Sequence, residues 1–231
     1  VFDMRRYRYR PVGGPIQWLR ELKFITVQFA IWNHGVAKSL FLIYWIDSLL
    51  LQMFVSNETI GDYAIALRTG NFLFLIPAVF EKNMIVTLSR SVDKADRASQ
   101  MSFLMKVNAA VSLAMLAAAA LAVPFYLKTI LDIDVTRSEA IVGFFVPLAI
   151  GASLRNLGRP LDAIILRREY IAPFAMYVMA PLLALAVTAY WLAGSRWGAT
   201  GMAWANVLVF GVYLVWTTGF ALRLKVISPS M

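Results

Sequence analysis

Residues 101–126 read MSFLMKVNAAVSLAMLAAAALAVPFY. A helix needs roughly 20 apolar residues to cross the hydrocarbon of a bilayer, and this stretch has that length and character. Lipid offers backbone N–H and C=O groups no partner, so such a segment must bond them internally as a helix. The Ala run 117–120 suits the same setting, because small residues let helices pack closely in lipid. Five more stretches of this kind lie on either side, within 21–55, 59–88, 138–166, 170–193 and 198–223. The expected fold class is therefore all-α: a polytopic membrane helix bundle of about six transmembrane helices. The alternating pattern of an outer-membrane barrel is absent.

Composition demands the same solvent. Sixty per cent of the 231 residues are hydrophobic and only 15% are charged, against about 25% charged in an average soluble domain. A water-soluble globule of this size could not cover itself with so few charges. Cysteine is absent, which excludes disulfides, thiolate metal sites and Cys nucleophiles, and the single histidine, His34, makes His-based chemistry improbable. His34 reads instead as a packed or hydrogen-bonded residue. No GxSxG, HExxH, phosphate-cradling glycine loop or DxD-like pair is present. Asp132 and Asp134 read as a solvated turn rather than a cation site. The expectation is a protein that is not an enzyme and has no cofactor or metal.

Polar breaks separate the spans. Ser56-Asn57-Glu58-Thr59 can end one helix and cap the next. Residues 90–100, RSVDKADRASQ, form a charged loop, and Arg167-Arg168-Glu169 a charged turn. Pro124 and Leu131-Asp132-Ile133-Asp134 are expected to break the third span from the fourth, and Gly194-Ser195-Arg196 to close the fifth. The first stretch is too long for a simple span, and its start, WLRELKFITVQF, reads as an amphipathic rise from the interface. Residues 1–20 form a basic cytoplasmic segment, 21–225 one transmembrane unit and 226–231 a tail. The first residue is Val, and VFDMRRYRYR lacks the apolar core of a signal peptide. The chain thus reads as a fragment with a missing start, Met4 being the alternative start.

The net charge of +9 would in a soluble protein raise nucleic acid as a partner. With the amino terminus inside, cytoplasmic segments carry fourteen Lys and Arg residues, and the opposite side carries three, Lys128, Arg137 and Arg196. That bias follows the positive-inside rule, sets both termini in the cytoplasm and explains the charge without nucleic acid. Trp191 and Trp197 flank the last outer loop as belt residues would.

Charge at membrane depth is costly and should face a cavity or a partner. Lys38, Asp47, Arg68, Glu81, Lys82, Arg155, Arg159 and Asp162 fall there. Asp47 and Arg68 lie about ten residues on either side of the turn near 57–58, so an antiparallel hairpin sets both roughly 12–15 Å from it, as an ion pair or as the lining of an aqueous cavity. Arg155, Arg159 and Asp162 share one helix face at i, i+4 and i+7, beside Asn156, with Gly158 and Pro160 loosening the helix. A polar stripe on a kinked helix can line a transport path. Arg159 and Asp162 could alternatively approach cytoplasmic headgroups. Lys38 reads as a snorkelling side chain, and Glu81-Lys82 as an interfacial pair.

Three stretches resemble polysaccharide flippases. Residues 43–63, IYWIDSLLLQMFVSNETIGDY, are similar to a pattern in which an intramembrane Asp follows Ile and a Glu-x-x-Gly-x-Tyr turn opens the next helix, here Ile46-Asp47 and Glu58, Gly61 and Tyr63. Residues 158–170, GRPLDAIILRREY, resemble that family's Pro-Leu stretch and basic turn, and 197–205, WGATGMAWA, the start of its last helix. The resemblance covers about 20–225 and points to the polysaccharide transporter branch, or O-antigen flippases, of the multidrug/oligosaccharidyl-lipid/polysaccharide exporter superfamily. It implies one carboxy-terminal lobe of a two-lobe exporter in the bacterial inner membrane. The implied partners are a polyprenyl pyrophosphate glycan (a lipid-linked oligosaccharide), the bilayer, the missing amino-terminal lobe, and the glycan polymerase and glycosyltransferases of surface polysaccharide synthesis. Such proteins flip undecaprenyl-pyrophosphate-linked glycans by alternating access. A candidate cavity would be lined by Arg68, Arg155, Asp47, Asn156 and Arg159, with Arg68 and Arg155 on phosphate or sugar and Asp47 the group coupled to an ion. The alternatives are a drug or metabolite exporter of the same superfamily, or a non-transporting subunit of a glycan-assembly complex, whose buried charges would be fully paired.

Overall fold

The computed structural model describes residues 26–79, 94–165 and 170–223, together with Leu19, Leu22 and Lys23. Every regular element among them is helical. Helix α1 spans Ile31–Leu51 after a π-helical turn, Thr26–Ala30; α2 spans Asn57–Asn71; α3 spans Lys94–Thr129; α4 spans Val135–Ile165; α5 is the short turn Ile171–Phe174; and α6 spans Ala180–Arg223. Four stretches are long and apolar enough to cross a membrane: Ile31–Leu51, Ser99–Thr129, Val135–Asp162 and Ile171–Arg223. The exterior agrees, since large apolar side chains such as Leu121 (81% exposed) and Tyr177 (72%) stand fully outward. Patches of that kind on a folded chain mark contact with lipid or protein.

The last of these stretches, 53 residues long, is not a rod. At Gly198 the backbone takes φ 57° and ψ −139°, a conformation open to glycine and strained for other residues. The chain folds back there. Asn206 Nδ2 reaches the Tyr190 hydroxyl at 3.3 Å, although 16 residues of straight helix would span about 24 Å. A β-carbon on Gly201 would collide with the Ala193 carbonyl, and one on Gly194 would lie 2.5 Å from Met202. Two glycines thus let the arms touch at the bend. The break lies at Gly198 rather than at Gly194-Ser195-Arg196: those residues stay helical because the cost of reversing direction is lowest where no side chain opposes a positive φ.

Pro124 does not end the third span either. Helix α3 runs through it to Thr129. The proline forfeits one helical bond, but Val123 and Leu127 on either side are buried and hold the final turn. The chain reverses at 130–134, where Asp132 adopts φ 51°, a left-handed conformation that Asp tolerates better than most residues. Asp134 then caps α4 by accepting the Arg137 backbone N–H at 3.0 Å. Ser56 caps α2 in the same way through Thr59 N–H, as its sequence implies.

Helix α4 is the central element and packs against α6, α3 and α2. Its Ile141, Phe145, Leu148, Ala149 and Leu161 are buried with Leu182, Ala186, Val209 and Phe210 of α6. The turns 52–56 and 130–134 and the Gly198 bend share one end of the bundle. Phe54 meets Trp191 edge to face at 5.3 Å, and Arg137 Nε donates to Asp62 Oδ1 at 2.7 Å. Of the loop expected over 90–100, residues 94–100 are helical and open α3 instead; residues 90–93, Glu81-Lys82, Arg167-Arg168-Glu169, the basic segment and the tail lie outside the described residues.

Candidate functional site

Three prolines decide where polar groups must go. A proline has no N–H, so the carbonyl four residues before it loses its helical donor. Pro77 orphans the Leu73 carbonyl, and the Asn156 side-chain amide donates to it at 2.9 Å. Pro160 orphans the Asn156 carbonyl, and the Asn108 amide donates to that at 2.6 Å. Asn108, Asn156 and the 3₁₀ turn Phe72–Phe74 therefore stitch α3, α4 and α2 together inside an apolar core. Asn156, expected at a cavity, is 1% exposed and acts as this clasp. The third proline, Pro147, lies nearer the start of α4, between the buried Phe145 and Leu148.

Below the clasp sits a buried ion pair. Arg155 (6% exposed) and Asp162 (3%) face each other along α4. Arg155 Nη2 donates to Asp162 Oδ2 at 2.6 Å, and the Tyr213 hydroxyl donates to Asp162 Oδ1 at 2.5 Å. The guanidinium lies 4.6 Å from the Tyr213 ring centre. Gly158 makes room, since a β-carbon there would press on Tyr213 at 3.2 Å. Both carboxylate oxygens are thus engaged, yet Arg155 Nε and Nη1 are buried without a hydrogen-bond acceptor. Charged donors left this way in a protein interior are costly.

A pocket of about 250 Å³ opens between α1, α2 and α4, lined by Tyr44, Trp45, Leu67, Asn71, Phe74 and Arg159. Tyr44 lines it, tilted 36° against Phe210 at 5.0 Å and edge-on to Phe74 at 5.5 Å. Arg159 lies 5.4 Å from the Phe74 ring centre. The Tyr44 hydroxyl is also within hydrogen-bonding reach of Arg155 and close enough to interact electrostatically with Arg159 and Asp162. The pocket therefore carries one guanidinium at its edge, a second behind its wall, an amide and three aromatic side chains. Such a lining suits an anionic or polyhydroxylated group.

Asp47 belongs elsewhere. It is fully buried and accepts from Tyr63 OH at 2.8 Å, from Ser48 N–H at 2.6 Å and from Ser48 Oγ at 3.2 Å. It does not pair with Arg68, which is exposed on α2. Tyr63, sixteen residues after Asp47, takes the carboxylate instead; Arg68 lies five residues, about 7.5 Å of helix, further along α2. Arg68 lines neither this pocket nor the small cleft behind it. The site residues expected from sequence therefore divide: Arg155 and Arg159 converge near Tyr44, Asn156 is structural, and Asp47 and Arg68 stand apart. His34 is exposed rather than packed, and Lys38 sits 5.8 Å from the Phe41 ring centre at the surface. Sequence reading passed over Tyr44, Asn71 and Tyr213. The only trace of Tyr213 was an isolated polar tip in an apolar run.

No protein-family model, curated protein or solved structure matches the chain, so its functional reading rests on this geometry and on the motifs quoted above.

Proposed function

We propose that the chain is one lobe of a bacterial inner-membrane transporter that flips a polyprenyl-pyrophosphate-linked oligosaccharide. The observation that carries this reading is Arg155: a buried guanidinium whose Nε and Nη1 lack a well-formed acceptor, touched by the Tyr44 hydroxyl and set behind a pocket edged by Arg159. A pyrophosphate or the hydroxyls of a sugar would supply the missing acceptors, and guanidinium groups bind such oxygens in pairs. Tyr44 stands between the two arginines and would have to swing aside to admit the ligand to Arg155. The isoprenoid tail would stay in lipid. Arg68, exposed on α2, would face a second lobe rather than this pocket, because lipid is a poor solvent for it. Asp47 is the candidate group for ion coupling. Both termini would be cytoplasmic.

The closed Arg155–Asp162 pair favours a second reading, a non-transporting membrane subunit of a glycan-assembly complex. Paired neutral replacement separates the two. In cells that depend on the intact protein, Arg155→Met with Asp162→Leu should leave expression normal, because similar-volume apolar replacements of a buried pair are often tolerated. The transport reading expects surface glycan to disappear. Wild-type glycan from the double variant would reject it in favour of the structural role.

A further inference from the structure

The two arms of α6 leave a second, larger hollow of about 610 Å³ on the outside of the bundle, near the Gly198 bend. We propose that it holds one acyl chain of an anionic phospholipid whose phosphate sits on Arg196. Its floor is made of small residues, Ala193, Gly201 and Ala205, and its walls of the exposed Leu192, Trp204 and Leu208. It runs along the arms from the level of Trp197 to that of Ala189, about 12 Å at the helical rise. That matches one leaflet, roughly half of the 30 Å hydrocarbon thickness. A packing transmembrane helix would need contact over the whole thickness, which this trough does not offer.

The polar groups lie only at the bend end. Arg196 and Thr200 line the mouth there, with Trp197 exposed beside them. Among the described residues, the ion pairs join Arg137 to Asp62 and Arg155 to Asp162, and neither uses Arg196. Its cation is therefore available to an anion at headgroup level, and tryptophans favour that level. Apolar trough and cationic mouth lie in line, as tail and phosphate do in a lipid.

The test is native mass spectrometry of the full chain in detergent, with phosphatidylglycerol and phosphatidylcholine of identical acyl chains added at equal concentration. Wild type should retain phosphatidylglycerol several-fold more. Arg196→Gln should remove that preference, and Ala205→Phe, which fills the floor, should remove retention of both lipids. If Ala205→Phe fails to fold by circular dichroism and melting, the exposed mouth substitution Thr200→Trp serves in its place, with the same expected loss. Equal retention of the two lipids by wild type would overturn the proposal. So would unchanged retention after the trough is filled, or a lipid-free dimer that Ala205→Phe dissociates.

Discussion

At the scale of single residues, the interior is organised by what proline removes and what arginine retains. The Asn156 amide replaces the donor that Pro77 denies to Leu73. Asn156→Ala should leave that carbonyl unsatisfied and cost about 1–3 kcal/mol, read as a fall in melting temperature in detergent. In a Pro77→Ala background, where residue 77 regains its N–H, the same change should cost less, and a double-mutant cycle measures the difference. Arg155→Met alone should cost about 3–5 kcal/mol, because it strands Asp162 as an unpaired buried charge. Adding Asp162→Leu should recover most of that loss in the same melting assay. The stripe Arg155–Arg159–Asp162 was legible in the sequence because helical spacing fixes which residues share a face. Their partners were not. The Asp162–Tyr213 bond joins residues 51 positions apart, and nothing local to either residue announces it. The expected Asp47–Arg68 pair failed for a related reason: counting residues from the turn set the two level, but which α2 residue meets Asp47 is decided by packing, and that residue is Tyr63.

At the scale of elements, the breaks decide the architecture. Ser56 acts as the helix cap its sequence implied, whereas Asp134, expected only as part of a solvated turn, also caps a helix. Gly198 was missed because a run of Gly, Ser and Arg four residues earlier carries a stronger composition signal, whereas the turn depends on one positive φ. Gly198→Ala should cost about 1–3 kcal/mol, the usual scale for strained backbone. Gly201→Val should splay the arms, since even a β-carbon there meets the Ala193 carbonyl. Both effects would appear as lower melting temperatures, and the second also as loss of a crosslink made by a bifunctional thiol reagent between cysteines placed at 190 and 206, whose native side chains touch. An undiminished crosslink yield in Gly201→Val would show that the arms do not rely on this approach.

At the scale of the whole molecule, six spans were expected from apolar length, and the structure has four stretches long and apolar enough to cross a membrane, one of them folded back on itself. The cysteine-free sequence makes sidedness directly measurable. Single cysteines at Asn57, Asp132 and Ser195 should react with a membrane-impermeant thiol reagent from the same side, and one at Arg223 from the other. Labelling of Asp132 and Arg223 positions from one side would break the alternation on which the fold rests. Function depends on a narrower claim, that the buried guanidinium of Arg155 serves a ligand as well as Asp162. The decisive measurement is translocation of a fluorescent polyprenyl-pyrophosphate disaccharide in proteoliposomes holding the intact protein, compared with the folded Arg155→Met, Asp162→Leu variant. The account predicts transport by the former and none above empty liposomes by the latter. Equal transport by both would contradict it.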